Sequence, residues 1–465
     1  MAIATDFIID YSKIAFLFAA GVRQAKRTGR TTLVSYSQPL PEVDPLAFFA
    51  ERQQTGVNTF YWEHPSDKFA MAGAGTAFLI TGEGEQRFEA TQEEWRKLLE
   101  EAITGGVDAW GVGPVLMGGF SFDPDRPTTE LWRGYGESLL VLPRLLLTRK
   151  ADHCFLTVNA LLNPDSDATT LARQVALLYH QPPKYSFNAT SNSLSLKDVR
   201  PAEEWKALVS QAVQRICEGD FEKVVLAREV RAFAQTAFQA GTILDRLRQN
   251  FPDATVFAIA REGRAFVGAT PERLVQLQHG EVRTVALAGS IARGSTPEED
   301  TRLGNELLHS DKNQGEHALV IDLIQEALKK VCSTLYIGEP PSLLKLRNVQ
   351  HLYTPIIGRL REHSTILKLV EVLHPTPALG GYPRNEALQF IRENEGLDRG
   401  WYGAPVGWLD RRGEGEFVVA IRSALLDGGS ATLFAGCGIV VDSEPDSEYQ
   451  ESCVKLRAML SALEG

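Results

Sequence analysis

The stretch that most constrains the fold is the last one. Ala431 to Val441 consists of small and apolar residues and reads as a buried strand, while Ser443 to Ser447 is turn chemistry that opens a helix running to about Leu463. The strand carries Gly436-Cys437-Gly438, and glycines at this spacing allow another group to approach the backbone closely. Residues three, four and seven apart stack over one another on a helix, so Glu448, Glu451 and Lys455 share one face of the first turns. Such a trio is either a solvated face laced by salt bridges, each worth about 0.2–0.5 kcal/mol, or the charged wall of a site.

Composition narrows the choice. The chain has 465 residues, 44% of them apolar, enough for a substantial core in one large α/β unit or two to three average domains. A formal charge of −11 argues against nucleic acid or an anionic membrane surface as the partner, so an acidic ligand must be drawn by a local cationic site. Cys154, Cys217, Cys332, Cys437 and Cys453 are scattered without a CxxC pair, which suggests neither a disulfide framework nor a zinc site. The start of the chain has only Phe7, Ile8 and Ile9 between Asp6 and Asp10, and no stretch reaches bilayer length, so the expected location is cytoplasmic.

The first half reads as structure. Phe60 to Trp62, Phe69 to Gly82, Val112 to Phe122, Leu139 to Leu147 and Cys154 to Leu162 are expected strands. Thr91-Gln92-Glu93-Glu94 reads as a capping box that opens a helix stopped by Gly105-Gly106. No titratable cluster is expected before about residue 180, and Gln181 to Lys197, rich in Ser, Asn and Pro, is the expected boundary.

The second half carries chemistry-bearing residues, each with a plainer reading beside it. Pro201 starts a helix that ends at Gly219, and Phe221 to Arg228 follows as a strand in which Lys223 is either a snorkelling edge lysine or a cation aimed at a site. Phe251 to Ile259 and Ala265 to Val267 suggest a hairpin, and Glu272 follows a proline in a turn, where most glutamates are simply exposed. Thr284 to Ile291 ends in the small residues Ala288 and Gly289, and a polar loop is expected over Gly294 to Asp300. Glu316 is placed in the first turn of a helix from Asp311, where the helix dipole alone favours a carboxylate. His351 falls in a strand-like stretch, a setting more typical of a core histidine. His374 to Pro383, with three prolines, must be a shaped loop. Trp401 to Trp408 and Glu416 to Leu425 read as adjacent strands, and Arg422 in the second is costly to bury without an anionic partner.

Together these segments resemble the chorismate-utilising enzymes over roughly Pro201 to Leu463. The resemblance is carried by Lys223-Val224-Val225-Leu226-Ala227-Arg228, Thr270-Pro271-Glu272-Arg273, Ala286-Leu287-Ala288-Gly289, Glu316-His317, Gln350-His351-Leu352, His374-Pro375-Thr376-Pro377-Ala378-Leu379-Gly380-Gly381, Tyr402 to Trp408, Ala420-Ile421-Arg422-Ser423-Ala424 and the glycine-to-Lys455 element. The wording is most similar to isochorismate synthases, and the long N-terminal half to those of the menaquinone pathway. The resemblance implies an α/β (α+β) fold of large antiparallel sheets flanked by helices around one buried site. Residues 1–195 would be a sheet-forming half packed into the same globule, and residues 196–465 the chorismate-binding catalytic region.

It also implies roles. Glu316 and Glu451 would ligate Mg²⁺, with Glu448 near or linked through water. Arg422, Lys455 and the amides of Gly436 and Gly438 would hold substrate carboxylates. Lys223 would be the base that activates water and Glu272 the acid that protonates the departing hydroxyl. Ala288, Gly289, His351, Ala378, Leu379 and Tyr402 would line the ring pocket. Asn313 stands where some relatives carry another acid, which leaves the outer metal shell open. Expected partners are the small molecule chorismate, no nucleic acid, no membrane and no obligatory glutaminase, with the chain a monomer or weak dimer. A salicylate synthase, an ammonia-using anthranilate or aminodeoxychorismate synthase, and a catalytically silent binder of an aromatic dicarboxylate are the other readings of the same residues.

Overall fold

The computed structural model describes residues 9–126, 128–178, 183, 185–187, 191–345, 349–362 and 364–465. The segment through Ile8 and part of the Gln181 to Lys197 boundary therefore lie outside the described residues.

Two large sheets are stacked with helices on their outer faces. One has 13 strands and the other 10 among the described residues, and every pairing but one is antiparallel; Thr32–Leu40 and Ile103–Gly106 run parallel. In each sheet the strands of the two halves of the chain form two contiguous blocks that meet at a single seam. Thr255–Arg261 pairs with Thr59–His64, and Pro405–Asp410 with Val115–Phe120.

The period-2 alternation of side chains sorts the core into layers. In Thr59–His64, Phe60 and Trp62 point into the space between the sheets, while Tyr61 faces the outer helices. The inter-sheet layer is aromatic, with Trp62, Trp132, Trp401 and Trp408 all fully buried. Helices Tyr11–Thr28, Pro45–Gln53, Ala240–Asn250 and Pro445–Glu464 cover the larger sheet. Helices Arg87–Glu100, Asp311–Lys329 and Ile366–Leu373 cover the smaller one. This is the expected arrangement of large antiparallel sheets flanked by helices. Among the described residues no helix is long and apolar enough to cross a membrane.

Several local expectations are corrected. The helix expected from Thr91 begins at Arg87, and the Thr91 hydroxyl donates to the Arg87 carbonyl inside it. It ends at Glu100, and Gly105-Gly106, expected to stop it, instead belong to the edge strand Ile103–Gly106. Pro143 divides Leu139 to Leu147 between the strands Ser138–Leu142 and Leu145–Lys150, which lie in different sheets. Phe251 caps the helix Ala240–Asn250 rather than starting a strand. The polar loop over Gly294 to Asp300 runs straight into a helix, Pro297–Leu308, because Thr296 caps it and Pro297 occupies its first turn. The first half also holds a titratable cluster after all. Buried Glu63 accepts from Tyr61 Oη and from Arg149 Nη2, the latter at 2.6 Å.

Candidate active site

The strand Ser430–Ile439 organises the site. It lies between Lys223–Phe233 on one edge and Ser423–Asp427 on the other, but the second neighbour pairs only with residues up to Leu433. Beyond that point its far edge has no strand against it among the described residues. The amides there can be assigned from the ladder. The Ala227 N–H goes to Glu395 Oε2 at 2.8 Å and the Val225 N–H to the Gly380 carbonyl at 3.1 Å. Their cross-strand partners Gly436 and Gly438 therefore sit at non-hydrogen-bonded pairs, with both N–H and C=O turned to the open edge. Gly438 is also where Lys223 crosses the strand, since a Cβ there would come within 2.8 Å of Lys223 Cε.

The C-terminal helix borders this edge. It runs from Pro445 to Glu464, one residue or so from the expected ends. Lys455 Nζ donates to the Gly436 carbonyl at 2.9 Å and pairs with Glu451 at 2.6 Å. Glu448 Oε1 accepts from Ser443 Oγ at 2.7 Å. Carboxylate oxygens of Glu448 and Glu451 and the Cys437 sulfur all lie within 4.8 Å of one another, and the oxygens are hard donors of the kind a divalent cation takes. Burial raises the pKa of Glu448. Burial pulls Glu451 the same way, but Lys455, Arg422 and His351 outweigh it and hold that carboxylate below its ordinary value.

The opposite face of the helix is locked in place. Arg228, almost fully buried, donates to Ser452 Oγ at 2.7 Å, to Asp198 at 2.6 Å and to the Cys453 sulfur at 3.0 Å, and lies 4.4 Å from the Tyr449 ring centre. Tyr449 Oη closes the network on Asp198 at 2.8 Å. These contacts fix the rotation of the helix, so Glu448, Glu451 and Lys455 stay aimed at the strand edge.

Glu316 stands apart from the carboxylate group on the C-terminal helix and pairs with Lys223 Nζ at 2.6 Å. It is the sixth residue of Asp311–Lys329, not a first-turn residue, so the helix dipole does not account for it. Arg422 is not in a strand. The expected strand from Glu416 breaks into Gly415–Val419 and Ser423–Asp427, which belong to different sheets, and Arg422 makes the crossing at φ +49°. Likewise Trp401 to Ala404 is a turn, and the strand begins at Pro405. The crossing is what lifts Arg422 out of the ladder and into a cleft.

That cleft, a cavity of ≈ 560 Å³, is lined by Pro271, Ser290, His351, Arg422, Glu451 and Lys455 among others. The Arg422 guanidinium has no hydrogen-bond or ion-pair partner among the described residues, and burial lowers its pKa. The Glu272 carboxyl has none either. Burial raises the Glu272 pKa to about 7, against the opposing pull of Arg422, Lys223 and Lys455. His351 Nδ1 is 2.7 Å from Ser290 Oγ, and burial with Arg422 and Lys455 nearby lowers its pKa to about 4, so the ring is neutral near pH 7.

The remaining expected residues frame these groups. Tyr402 stacks on Phe434 with ring centres 5.1 Å apart, and a Cβ at Gly436 would meet its hydroxyl at 3.3 Å. Gly289 has φ +71°, and a side chain there would press on Asn313; neighbouring Ala288 is buried. Ala378 lines a small chamber with Glu272, while the Leu379 carbonyl accepts from Arg399. Sequence reasoning missed Ser290 and the buried Glu395–Arg399 pair that ties Leu379 to the Val225 carbonyl. The i,i+4 spacing of that pair was a readable signal; Ser290 offered none.

Residues 20–464 match the chorismate binding enzyme family. The chain belongs to the chorismate-binding enzymes. It is 42% identical over 450 residues to a salicylate biosynthesis isochorismate synthase of Pseudomonas aeruginosa, covering 96% of this chain and 93% of that one. It is 40% identical over 453 residues to isochorismate synthase MenF of Bacillus subtilis, covering 96% of each. Among solved structures, MenF, the menaquinone-specific isochorismate synthase from Escherichia coli, superposes with a TM-score of 0.79 at 27% identity, over 96% of this chorismate-binding enzyme and 99% of that chain.

Titration of Glu272 has a consequence for stability. Below its ordinary 4.5 the carboxyl is neutral folded and unfolded alike; as pH rises to about 7 only the unfolded chain ionises freely, so the folded state loses stability. Glu272→Gln is therefore expected to leave the melting temperature unchanged near pH 4 and to raise it above wild type by pH 8. Equal melting curves at pH 8 would mean that the carboxyl is not held in an unfavourable setting.

Proposed function

We propose that the protein is an isochorismate synthase, converting chorismate to isochorismate by adding water at ring C2 while the C4 hydroxyl leaves. The observation that carries this reading is the pair of unpartnered groups, the Arg422 guanidinium on the wall of the cleft and the Glu272 carboxyl, which feels the charges of Arg422, Lys223 and Lys455. An unpaired buried guanidinium calls for an anion, and chorismate brings two carboxylates. Arg422, Lys455 and the open-edge amides of Gly436 and Gly438 hold them.

Lys223 takes the proton from the attacking water. Glu272, with a pKa of about 7, still carries a proton near neutral pH and gives it to the departing oxygen. His351, neutral and fixed by Ser290, presents its ring to the substrate together with Tyr402, Ala378, Leu379, Ala288 and Gly289. Glu448 and Glu451 offer oxygen donors of the kind that suits Mg²⁺, and Glu316, paired with Lys223, would be the third ligand. When bound, the ion supplies positive charge against substrate carboxylate.

One relative is named for salicylate biosynthesis and one solved structure as menaquinone-specific, yet both are isochorismate synthases, and the reaction proposed is common to them. Incubation with chorismate and Mg²⁺ is expected to give isochorismate, with no ammonia and no glutaminase partner added. Both compounds present the same carboxylates to the same clamp, so isochorismate supplied instead should yield chorismate. Salicylate and pyruvate as the main products would transfer the assignment to a lyase.

A further inference from the structure

A second, smaller cavity lies against Glu272 and shares no lining residue with the cleft. Its volume is ≈ 20 Å³. Val320 and Ile324 of the Asp311–Lys329 helix, with Leu373, give it apolar wall, whereas Glu272 and Thr376 bring polar groups. Other polar groups on its wall are engaged: Thr284 Oγ1 donates to the Leu274 carbonyl at 2.7 Å, and Arg273 Nε donates to Glu416 at 2.6 Å.

Thr376 Oγ1 is buried and has no hydrogen-bond partner. Its backbone is fixed, because its carbonyl accepts from the N–H groups of Leu379 and Gly380 at 3.0 and 2.9 Å. A buried hydroxyl left without a partner keeps the full cost of its desolvation. A single water needs roughly 10–15 Å³ and two to four polar partners, and this chamber meets both conditions.

We propose that the chamber holds one ordered water that bridges Thr376 Oγ1 and the Glu272 carboxyl, which makes Thr376 a positioning residue for the acid. The inference rests on the assignment of Glu272 as the proton donor. A water hydrogen bond to one carboxyl oxygen fixes the rotamer and leaves the other oxygen to carry its proton toward the substrate. The charged groups that face Glu272 are Lys223 from the Lys223–Phe233 strand, Arg422 from the crossing and Lys455 from the C-terminal helix. None of them lines the chamber.

Thr376→Val keeps the shape and removes the hydroxyl. It is expected to lower kcat by about 3- to 30-fold, the loss of one or two hydrogen bonds, with the KM for chorismate unchanged. The high-pH limb of kcat should move upward, because the ionised carboxylate loses a donor. Thr376→Ser should restore both. In a Glu272→Gln background Thr376→Val should have no further effect, and a high-resolution crystal structure should show the bridging water in the wild type. Wild-type kcat and limb in Thr376→Val, or the same loss in the Glu272→Gln background, would overturn the proposal and leave Thr376 a packing residue. Near-native activity of Glu272→Gln itself would remove the acid assignment on which it rests.

Discussion

Glu316→Ala and Glu451→Ala are each expected to lower turnover by roughly 10³-fold or more, the equivalent of about 4 kcal/mol at the barrier, and a chelator should mimic both in the wild type. A hard cation takes oxygen ligands and has few protein donors to spare, so deleting one carboxylate unseats it and leaves substrate charge uncompensated. The fold should survive. The side chains of Glu316 and Glu451 are 31% and 52% exposed, so neither carboxylate is left buried and uncompensated when its partner changes, and the more exposed pair of Glu451 with Lys455 is worth at most about 1 kcal/mol. The checks are steady-state kinetics across a Mg²⁺ titration beside thermal melts. Near-native turnover at low Mg²⁺ in either variant would reduce that glutamate to a salt-bridge partner. Glu448→Ala tests the third member. Its carboxylate is already engaged by Ser443 and its pKa is raised, so a smaller loss, recovered at high Mg²⁺, is expected there.

What the sequence disclosed depended on how local the information was. The C-terminal strand, turn and helix were legible almost to the residue, because the glycines, the proline and the helical spacing of Glu448, Glu451 and Lys455 all act within one element. Arg422 was placed in a strand because apolar alternation surrounds it, and nothing local records that the chain changes sheets at that position. Glu316 is the sixth residue of a helix whose start at Asp311 is legible in the sequence, so its place beyond the first turn was readable too, and the helix-dipole reading is wrong for a local reason. The helix Pro297–Leu308 was hidden by its own polar surface, since only Asp300, Gly304 and Leu307 are buried. The edge-to-edge joining of the two halves within each sheet is a matter of long-range pairing, to which hydrophobic periodicity is blind.

The groups that move a proton and those that hold fixed charge should respond differently to deletion. Lys223→Ala removes the base and Glu272→Gln the proton donor, and each is expected to cut kcat by about 10²- to 10⁴-fold while leaving chorismate bound nearly as tightly. Lys223 is partnered by Glu316 and not by the substrate clamp, so its loss leaves the carboxylate contacts standing. Arg422→Ala and Lys455→Ala delete partners of carboxylates that are present in substrate and transition state alike, so Kd should rise about 10- to 100-fold, the value of one charged hydrogen bond. Arg422 should show the larger rise. Its guanidinium has no protein partner and is wholly available to the substrate, whereas Lys455 is shared with Glu451 and the Gly436 carbonyl and has less to give. Calorimetric titration of each variant beside steady-state kinetics separates the two effects. If Lys223→Ala weakened binding as much as Arg422→Ala does, Lys223 would be one more counter-charge. The attacking water would then need another base.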